Sequence, residues 1–250
     1  TGAVGMFGQS YGALVQYLVA PLQPPHLTTC IPIAGPVPGL PRHPFVELSW
    51  DLAYSIAMAE ETFTKAGRGD EYEALRNELI DRTEVRFASP RLELLQGLPL
   101  TAWHDRHPEI SARLTSRIEG ANQPIDPADP TDAFARITVP ILHIGSWYDN
   151  NQWMTTTTYQ GMRDHAGTEL ARNNQAILMG PWAHLLPYNL PTSGGTGDID
   201  FGPEAATFLL DAELEWFDHY LKQGGTELPR TPVRIFVMGE NTWRDEQEWP

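Results

Sequence analysis

The chain has 250 residues, of which 41% are hydrophobic, and its formal net charge is −15. This length suits one large or two modest globular domains with a real core. The acidity argues against a nucleic-acid partner, because proteins that bind phosphate backbones present basic surfaces. No apolar run approaches the roughly 18 residues that a membrane-spanning helix needs, so we expect no membrane partner.

The first twenty residues predict a strand, a sharp turn and a helix. Residues 3–7 form an apolar run that is too short for a useful helix and indicates a buried strand. Residues 12–20 have a helical pattern that ends before Pro21. Between them lies GQSYG, a G-x-S-x-G pattern, which lifts a serine hydroxyl out of a sheet where a strand turns directly into a helix. Ser10 is therefore a candidate nucleophile, and an ordinary glycine-rich turn is the alternative.

The next segments predict a second strand and then a helical insertion. Residues 28–33 are apolar and contain Cys30, the single cysteine, which we interpret as a small buried apolar residue. Residues 51–118 lose the strand pattern and carry apolar residues at helical spacing among many charges. We therefore interpret residues 45–130 as an inserted helical cap, closed by the turn-rich sequence EGANQPIDPADPTD.

Strand signals return after the insertion. Residues 137–145 predict a strand, residues 152–165 a polar helix, and residues 175–180 another short strand. A long amphipathic helix is predicted over residues 203–224. Strands that alternate with helices indicate an α/β fold with a parallel sheet covered on both faces. The last strand, residues 233–238, has no helix after it, and we expect it to start a separate β domain.

A serine needs a base to take its proton, and this base is usually a histidine oriented by a carboxylate. In a parallel sheet such groups gather at the carboxyl ends of the strands. SWYD follows the predicted strand that ends at Gly145, and PWAH follows the one that ends at Gly180. Asp149 and His184 are thus the candidate partners of Ser10, in the chain order that α/β-hydrolases use. The alternatives are a helix-capping aspartate and an ordinary loop histidine.

Three aromatic residues next to these candidates are either packing groups or walls of an acyl pocket: Trp147, Tyr148 and Trp182. We expect no metal and no cofactor. The two histidines of HDRHP, His104 and His107, are three residues apart, but Pro108 and the missing third ligand favour a solvated turn.

Five motifs carry a resemblance to a known family: VGMFGQSYGA, GSWYDNN, LMGPWAH, LEWFDHYLKQG and VRIFVMGENTWRDEQEWP. With these, the chain resembles the CocE/NonD serine hydrolases, the cocaine esterase and X-Pro dipeptidyl-peptidase group of the α/β-hydrolase superfamily. The likeness covers most of the chain outside residues 45–130. It implies a partial α/β-hydrolase fold without its N-terminal strands, in segments 1–44 and 131–229, and a jelly-roll domain beginning in residues 230–250.

The resemblance also implies roles for individual residues. Ser10 would be the nucleophile, His184 the base, Asp149 its orienting carboxylate, and the backbone N–H of Tyr11 one oxyanion donor. The second donor would come from a tyrosine upstream of the first strand, a region that this chain does not include. One departure is that the family pattern G-x-S-Y-x-G has a glycine where this chain has Ala13, which is still small.

The function thus implied is cleavage of an ester or amide through an acyl-enzyme, with a small-molecule ester, amide or short peptide as substrate. Release of X-Pro dipeptides, α-amino acid ester hydrolysis and β-lactam side-chain acylation stay open, and an inactive binding protein is a more distant alternative. A homo-oligomer is left open, and a cytoplasmic location is favoured. We expect this chain alone to be nearly inactive, because loss of one oxyanion donor costs on the order of 10² to 10³ in rate.

Overall fold

The structure is a computed structural model, and it describes residues 2–40, 59–79, 130–184, 199–206, 209–222, 225, 227–228 and 231–249. The chain divides into two compact units. One consists of Thr1–Leu40 and Pro127–Pro250, and the other of Pro41–Asp126.

The first unit is built on a six-stranded sheet in which neighbouring strands are also consecutive along the chain. The strands are β1 (Val4–Gln9), β2 (Leu27–Ile33), β3 (Ile141–Tyr148), β4 (Gln175–Ala183), β5 (Val233–Val237) and β6 (Thr242–Glu246). Strands β1 to β5 run parallel and β6 runs antiparallel to β5. The carboxyl ends of the first five strands therefore lie at one edge of the sheet.

Helices cover both faces of this sheet. The helices whose bounds are fully described are α1 (Tyr11–Val19), α2 (Gly69–Leu79, in the second unit), α3 (Thr131–Phe134), α4 (Gln152–His165), α5 (Glu169–Asn173) and α6 (Leu209–Leu221), with short 3-10 turns at Ala20–Leu22 and Pro203–Ala206. Helices α1 and α4 share one core cluster, whereas α6 packs in the cluster on the other face. The α/β class predicted from the alternation of strands and helices is confirmed.

Strand β2 shows why a strand in such a sheet has a mostly apolar sequence. Cys30 belongs to the cluster that contains Met154 of α4, while Ile31 and Ile33 belong to the cluster that contains Trp216 of α6. Both faces of the strand are buried, so both sets of alternating side chains are mostly apolar. Burial raises the pKa of the Cys30 thiol to about 12, which agrees with its interpretation as a packing residue.

The second unit is described only between residues 59 and 79. Residues 59–65 are helical and are followed by α2. Phe63 and Tyr72 are buried with their ring centroids 6.1 Å apart. These residues lie within the segment predicted as a helical cap, and the remainder of that segment lies outside the described residues. The cap boundaries at 45 and 130 stay a prediction.

Strand β3 begins later than predicted and both β3 and β4 end later. Residues 137–140 are irregular, and Pro140, which has no N–H, instead accepts hydrogen bonds from the Cys30 N–H and the Thr29 hydroxyl. Gly145 and Gly180 do not end their strands. A Cβ on Gly145 would lie 2.7 Å from Met179 Sδ, and one on Gly180 would lie 2.4 Å from the Trp182 ring. These glycines mark close packing inside the strands rather than turns.

The last strand differs from the expectation that it starts a separate domain. β5 pairs in parallel with β4, with Ile177 opposite Val233, and β6 returns as a hairpin. Helix α6 makes the crossover that two parallel neighbours require, so α6 and β5 continue the strand–helix alternation. Within the described residues, 233–246 are therefore part of the central sheet. The jelly-roll domain implied by the resemblance stays a prediction.

Candidate active site

Ser10 lies on the turn between β1 and α1 in a strained backbone conformation, with φ 55° and ψ −111°. A residue with a Cβ pays for such a conformation, and such strain clusters at functional sites. The Ser10 N–H donates to the carbonyl of Ile33 at 2.8 Å, and the side chain makes no capping hydrogen bond to α1. The turn thus leaves the hydroxyl available for another partner.

Small residues allow this turn to pack against the end of β2. A Cβ on Gly8 would lie 3.1 Å from Gly12 Cα, and a Cβ on Gly35 would lie 2.2 Å from Ala13 Cβ. Ala13 is fully buried. The alanine that replaces the glycine of the family pattern is accommodated because it faces a glycine, Gly35. A Cβ on Gly12, by contrast, would meet no atom within 4 Å among the described residues.

The three predicted residues meet at the carboxyl edge of the sheet. His184 follows β4, and its Nε2 lies 2.9 Å from Ser10 Oγ, while its Nδ1 lies 2.8 Å from Asp149 Oδ2. An ionised carboxylate only accepts hydrogen bonds, so Nδ1–H donates to Asp149 and the neutral ring accepts from the Ser10 hydroxyl at Nε2. His184 is 8% exposed and Asp149 6% exposed. This is the arrangement in which an imidazole can take the proton of an alcohol.

The loop after β3 fixes the Asp149 carboxylate. Its Oδ1 accepts the backbone N–H of Asn151 at 2.6 Å, and the Asn151 amide donates to the carbonyl of Ala34 at 3.1 Å. The sequence left open whether Asp149 serves the following helix or a histidine. One oxygen accepts from His184, and the other accepts from Asn151, the residue before α4, rather than from an N–H of the helix itself.

The aromatic residues beside the triad are mostly packing groups. Trp147 donates its indole N–H to the carbonyl of Phe236 at 2.9 Å and packs against the cluster under β5. Trp182 is 3% exposed, donates its indole N–H to the carbonyl of Ala205 and belongs to the core on the α6 face. The described contacts of these two indoles are those of packing residues, the alternative that the sequence left open. Tyr148 is 44% exposed, and its place in a substrate pocket stays a prediction.

Tyr11 is the first residue of α1, and its side chain is 74% exposed. The first N–H groups of a helix have no partner within the helix. They are also aligned with the positive end of the helix dipole, which favours negative charge. The position is chemically suited to an oxyanion donor, and that role stays a prediction.

Two glutamines at the turn were missed by the sequence analysis. The side-chain amide of Gln16 is buried and donates toward the carbonyls of Gly8, Gly12 and Ile31 at 3.3, 3.1 and 3.2 Å. Its buried role could have been predicted, because it is a polar residue on the inward face of an otherwise apolar helix. The amide of Gln9 donates to the backbone carbonyl of His184. No sequence pattern signals that contact, because it joins residues far apart in the chain.

His143, the buried histidine of β3, is held by hydrogen bonds on both ring nitrogens. Tyr17 donates its hydroxyl to His143 Nδ1 at 3.1 Å, and His143 Nε2–H donates to the Gln175 amide oxygen at 2.9 Å. Burial lowers the pKa of His143 to about 4. A buried imidazole with a hydrogen bond on each nitrogen has the contacts of a packing residue and is not the base that faces Ser10.

Among the described residues, no group of three or more His, Cys, Asp or Glu side chains is arranged to hold a metal ion. His104 and His107 lie outside the described ranges. No helix in the described part of the chain is long and apolar enough to cross a membrane.

The chain is similar to a curated protein and to two solved structures. Cocaine esterase from Rhodococcus sp. (strain MB1 Bresler) is 32% identical over 118 residues, which are 46% of this chain and 18% of that protein. An α-amino acid ester hydrolase matches 99% of the chain with a TM-score of 0.61 and 20% identity. An aminopeptidase from the marine sediment archaeon Thaumarchaeota archaeon matches 100% with a TM-score of 0.66 and 18% identity. The chain covers 39% of each of these two solved chains.

The two structural matches show a shared fold, and the fold class expected from the resemblance is confirmed. The model of the X-Pro dipeptidyl-peptidase (S15) family matches residues 1–186, a segment that contains both the GQSYG turn and the histidine after β4. The resemblance drawn from the motifs is thereby confirmed. The chain belongs to the X-Pro dipeptidyl-peptidase (S15) family of hydrolases.

Proposed function

We propose that this protein is a serine hydrolase that cleaves ester or amide acyl bonds through an acyl-enzyme on Ser10. The observation that carries the proposal is the continuous series of hydrogen bonds from Ser10 Oγ through the His184 imidazole to the Asp149 carboxylate. The strained turn at Ser10 supports it, because that conformation directs the hydroxyl to His184 instead of capping α1.

In the acylation step, Ser10 Oγ attacks the acyl carbon while its proton moves to His184 Nε2. The protonated imidazole then gives that proton to the leaving alcohol or amine as the acyl–leaving group bond breaks. In the second step a water molecule gives a proton to His184 and attacks the acyl carbon, and Ser10 recovers its proton as the acid leaves. Asp149 stays ionised throughout and holds the Nδ1–H tautomer.

The tetrahedral intermediate carries a negative oxygen that needs hydrogen-bond donors. The backbone N–H of Tyr11 is one donor in this proposal, because it adjoins Ser10 and begins α1. A single backbone donor of this kind is worth on the order of 10² to 10³ in rate.

The substrate class in this proposal is a small-molecule ester, an amide or a short peptide. The relatives are named for ester hydrolysis and for peptide cleavage, and both reactions use the same acyl-transfer chemistry. The family description names X-Pro dipeptides, which makes dipeptide release the second candidate.

Turnover of p-nitrophenyl acetate and of Gly-Pro-p-nitroanilide by the full-length gene product tests the proposal. Ser10→Ala is expected to lower turnover of the accepted substrate by about 10⁶-fold, as for other nucleophile deletions. Ser146→Ala is the matched control, because that serine is buried, its carbonyl accepts the Asp149 N–H at 3.2 Å, and its hydroxyl has no hydrogen-bond partner among the described residues. Turnover that survives Ser10→Ala would overturn the proposal. Preference for the anilide over the acetate would favour the peptidase candidate.

A further inference from the structure

Gln9, the last residue of β1, reaches across the sheet edge to the residue after β4. Its side-chain amide donates a partly buried hydrogen bond to the backbone carbonyl of His184. The backbone of Gln9 is paired with Ile33 of β2, so the base of this side chain is held in a rigid ladder. The bond therefore connects the histidine to a residue whose backbone belongs to the sheet.

Two other strands, β2 and β3, lie between β1 and β4 in the sheet. The ends of β1 and β4 therefore have no shared backbone ladder, and side chains must join them. The hydrogen bonds that do so include one from the Ser10 hydroxyl to the His184 imidazole and one from the Gln9 amide to the His184 carbonyl. One bond holds the ring and the other holds the backbone that carries it.

We infer that Gln9 is a positioning residue that keeps His184 in place when Ser10 is acylated. The inference rests on the proposed function. Gln9 contacts neither Ser10 Oγ nor the imidazole ring in the contacts described, and a neutral amide takes no part in proton transfer. It acts through the backbone of His184.

The Ser10–His184 and Gln9–His184 hydrogen bonds are not both present at every stage of the reaction. In the free enzyme the Ser10 hydroxyl donates to His184 Nε2, but in the acyl-enzyme the same oxygen is esterified and has no hydrogen to donate. In the acyl-enzyme the His184 ring still donates to Asp149, and the His184 carbonyl still accepts from the Gln9 amide. His184 must now activate a water molecule rather than the serine. Loss of Gln9 should therefore slow deacylation more than acylation.

The test uses Gln9→Met, which keeps the shape of the side chain and removes the N–H donor, in the full-length gene product. Saturating p-nitrophenyl acetate is added, the reaction is quenched with acid, and intact-protein mass spectrometry gives the fraction of enzyme that carries an acetyl group. That fraction and the steady-state kcat together give both the acylation and the deacylation rate constants, whichever step is slower. Gln23→Met is the matched control, because Gln23 donates a similar bond to the carbonyl of Arg136 at 2.9 Å, outside the triad.

We expect Gln9→Met to lower the deacylation rate constant about tenfold, the loss typical of one hydrogen bond, and to raise the acetylated fraction. The acylation rate constant should stay within about threefold, and Gln23→Met should change neither. Equal losses in both steps, or no loss in either, would overturn the inference. Gln9→Glu, which keeps the side-chain length and lacks the N–H donors when ionised, serves if the methionine variant does not fold. A wild-type protein that is never acetylated would overturn the proposed function instead.

Discussion

Replacement of Gly35 by alanine tests how tightly the nucleophile turn fits against the end of β2. An added Cβ would lie 2.2 Å from Ala13 Cβ, 3.0 Å from the Ser10 carbonyl oxygen and 3.3 Å from Ala13 Cα. Gly35 does not have a left-handed φ, so its backbone conformation alone does not require glycine. The cost of the substitution comes from contact with the turn.

The magnitude follows from these distances. Carbon atoms pack at about 3.5 to 4.0 Å, so a separation of 2.2 Å is more than 1 Å too short. Overpacking usually costs about 1 to 3 kcal/mol. We expect the upper end, about 3 kcal/mol, because two of the three atoms belong to the backbone and cannot rotate away. A domain of this size loses about 2 to 4 °C in Tm for each kcal/mol.

The same displacement should reach the catalytic hydroxyl. The Ser10 Oγ to His184 Nε2 distance is 2.9 Å, and a shift of about 1 Å in such a contact can cost 10²-fold in rate. We therefore expect Gly35→Ala to slow the reaction of Ser10 with a fluorophosphonate by about 10²-fold, as well as lowering Tm.

Gly12→Ala is the matched control, two residues from the same serine. Its Cβ would meet nothing within 4 Å among the described residues, and alanine favours a helix over glycine by up to about 1 kcal/mol. It should fold at least as stably as wild type and react at a similar rate. A Gly35→Ala variant that unfolds within about 0.5 kcal/mol of wild type and reacts at the wild-type rate would show that the turn does not pack tightly against the end of β2.

Three further predictions use the same geometry. Asp149→Asn keeps the oxygen that accepts from Asn151 but loses the Nδ1–H tautomer of His184, so kcat/KM should fall about 10⁴-fold with an unchanged circular dichroism spectrum; a loss of less than tenfold would contradict it. Ser10→Gly relieves the positive φ and should be about 1 kcal/mol more stable than Ser10→Ala in urea unfolding, whereas equal stability would show that the turn is unstrained. Burial lowers the pKa of His143 to about 4, and the unfolded state, titrating near 6.5, binds more protons between these values. The free energy of unfolding of wild type should therefore fall relative to His143→Asn as pH drops from about 6.5 to 4, by at most about 1.4 kcal/mol per pH unit, and parallel pH curves would exclude it.

The positions of the three triad residues could be predicted because each follows a strand of a parallel sheet. A run of apolar residues locates a strand, and parallel strands bring their carboxyl ends to one edge whatever the intervening sequence. Ser10, Asp149 and His184 needed only this rule and the chemistry of their side chains. Their convergence therefore did not depend on locating the strand ends to the exact residue.

The strand ends themselves were harder to predict. Gly145 and Gly180 were interpreted as strand ends, but they lie inside β3 and β4. Glycine is used there because Met179 and Trp182 occupy the space that a Cβ would need. Glycine signals a turn and a close contact equally well, and only the packing distinguishes the two. We expected β5 to start a separate domain because no helix follows it. The helix that precedes it, α6, is however the one that a parallel crossover from β4 uses.

Contacts between distant residues could not be predicted at all. The Gln9 amide and the His184 carbonyl are 175 positions apart, and one partner is a backbone group that every residue has. The indole of Trp147 likewise points to β5 rather than to the triad, because the pairing of β4 with β5 brings Phe236 beside it. Such contacts depend on the register of the strands, which local sequence does not specify.

The central claim is that Ser10 is the nucleophile and that His184 and Asp149 activate it. The most direct measurement is reaction of the full-length gene product with a fluorophosphonate, followed by tryptic digestion and mass spectrometry of the adduct. We predict one phosphonylated peptide, with the modification on Ser10, and its loss in His184→Ala. Modification of another residue, or undiminished labelling of Ser10 in His184→Ala, would contradict the account.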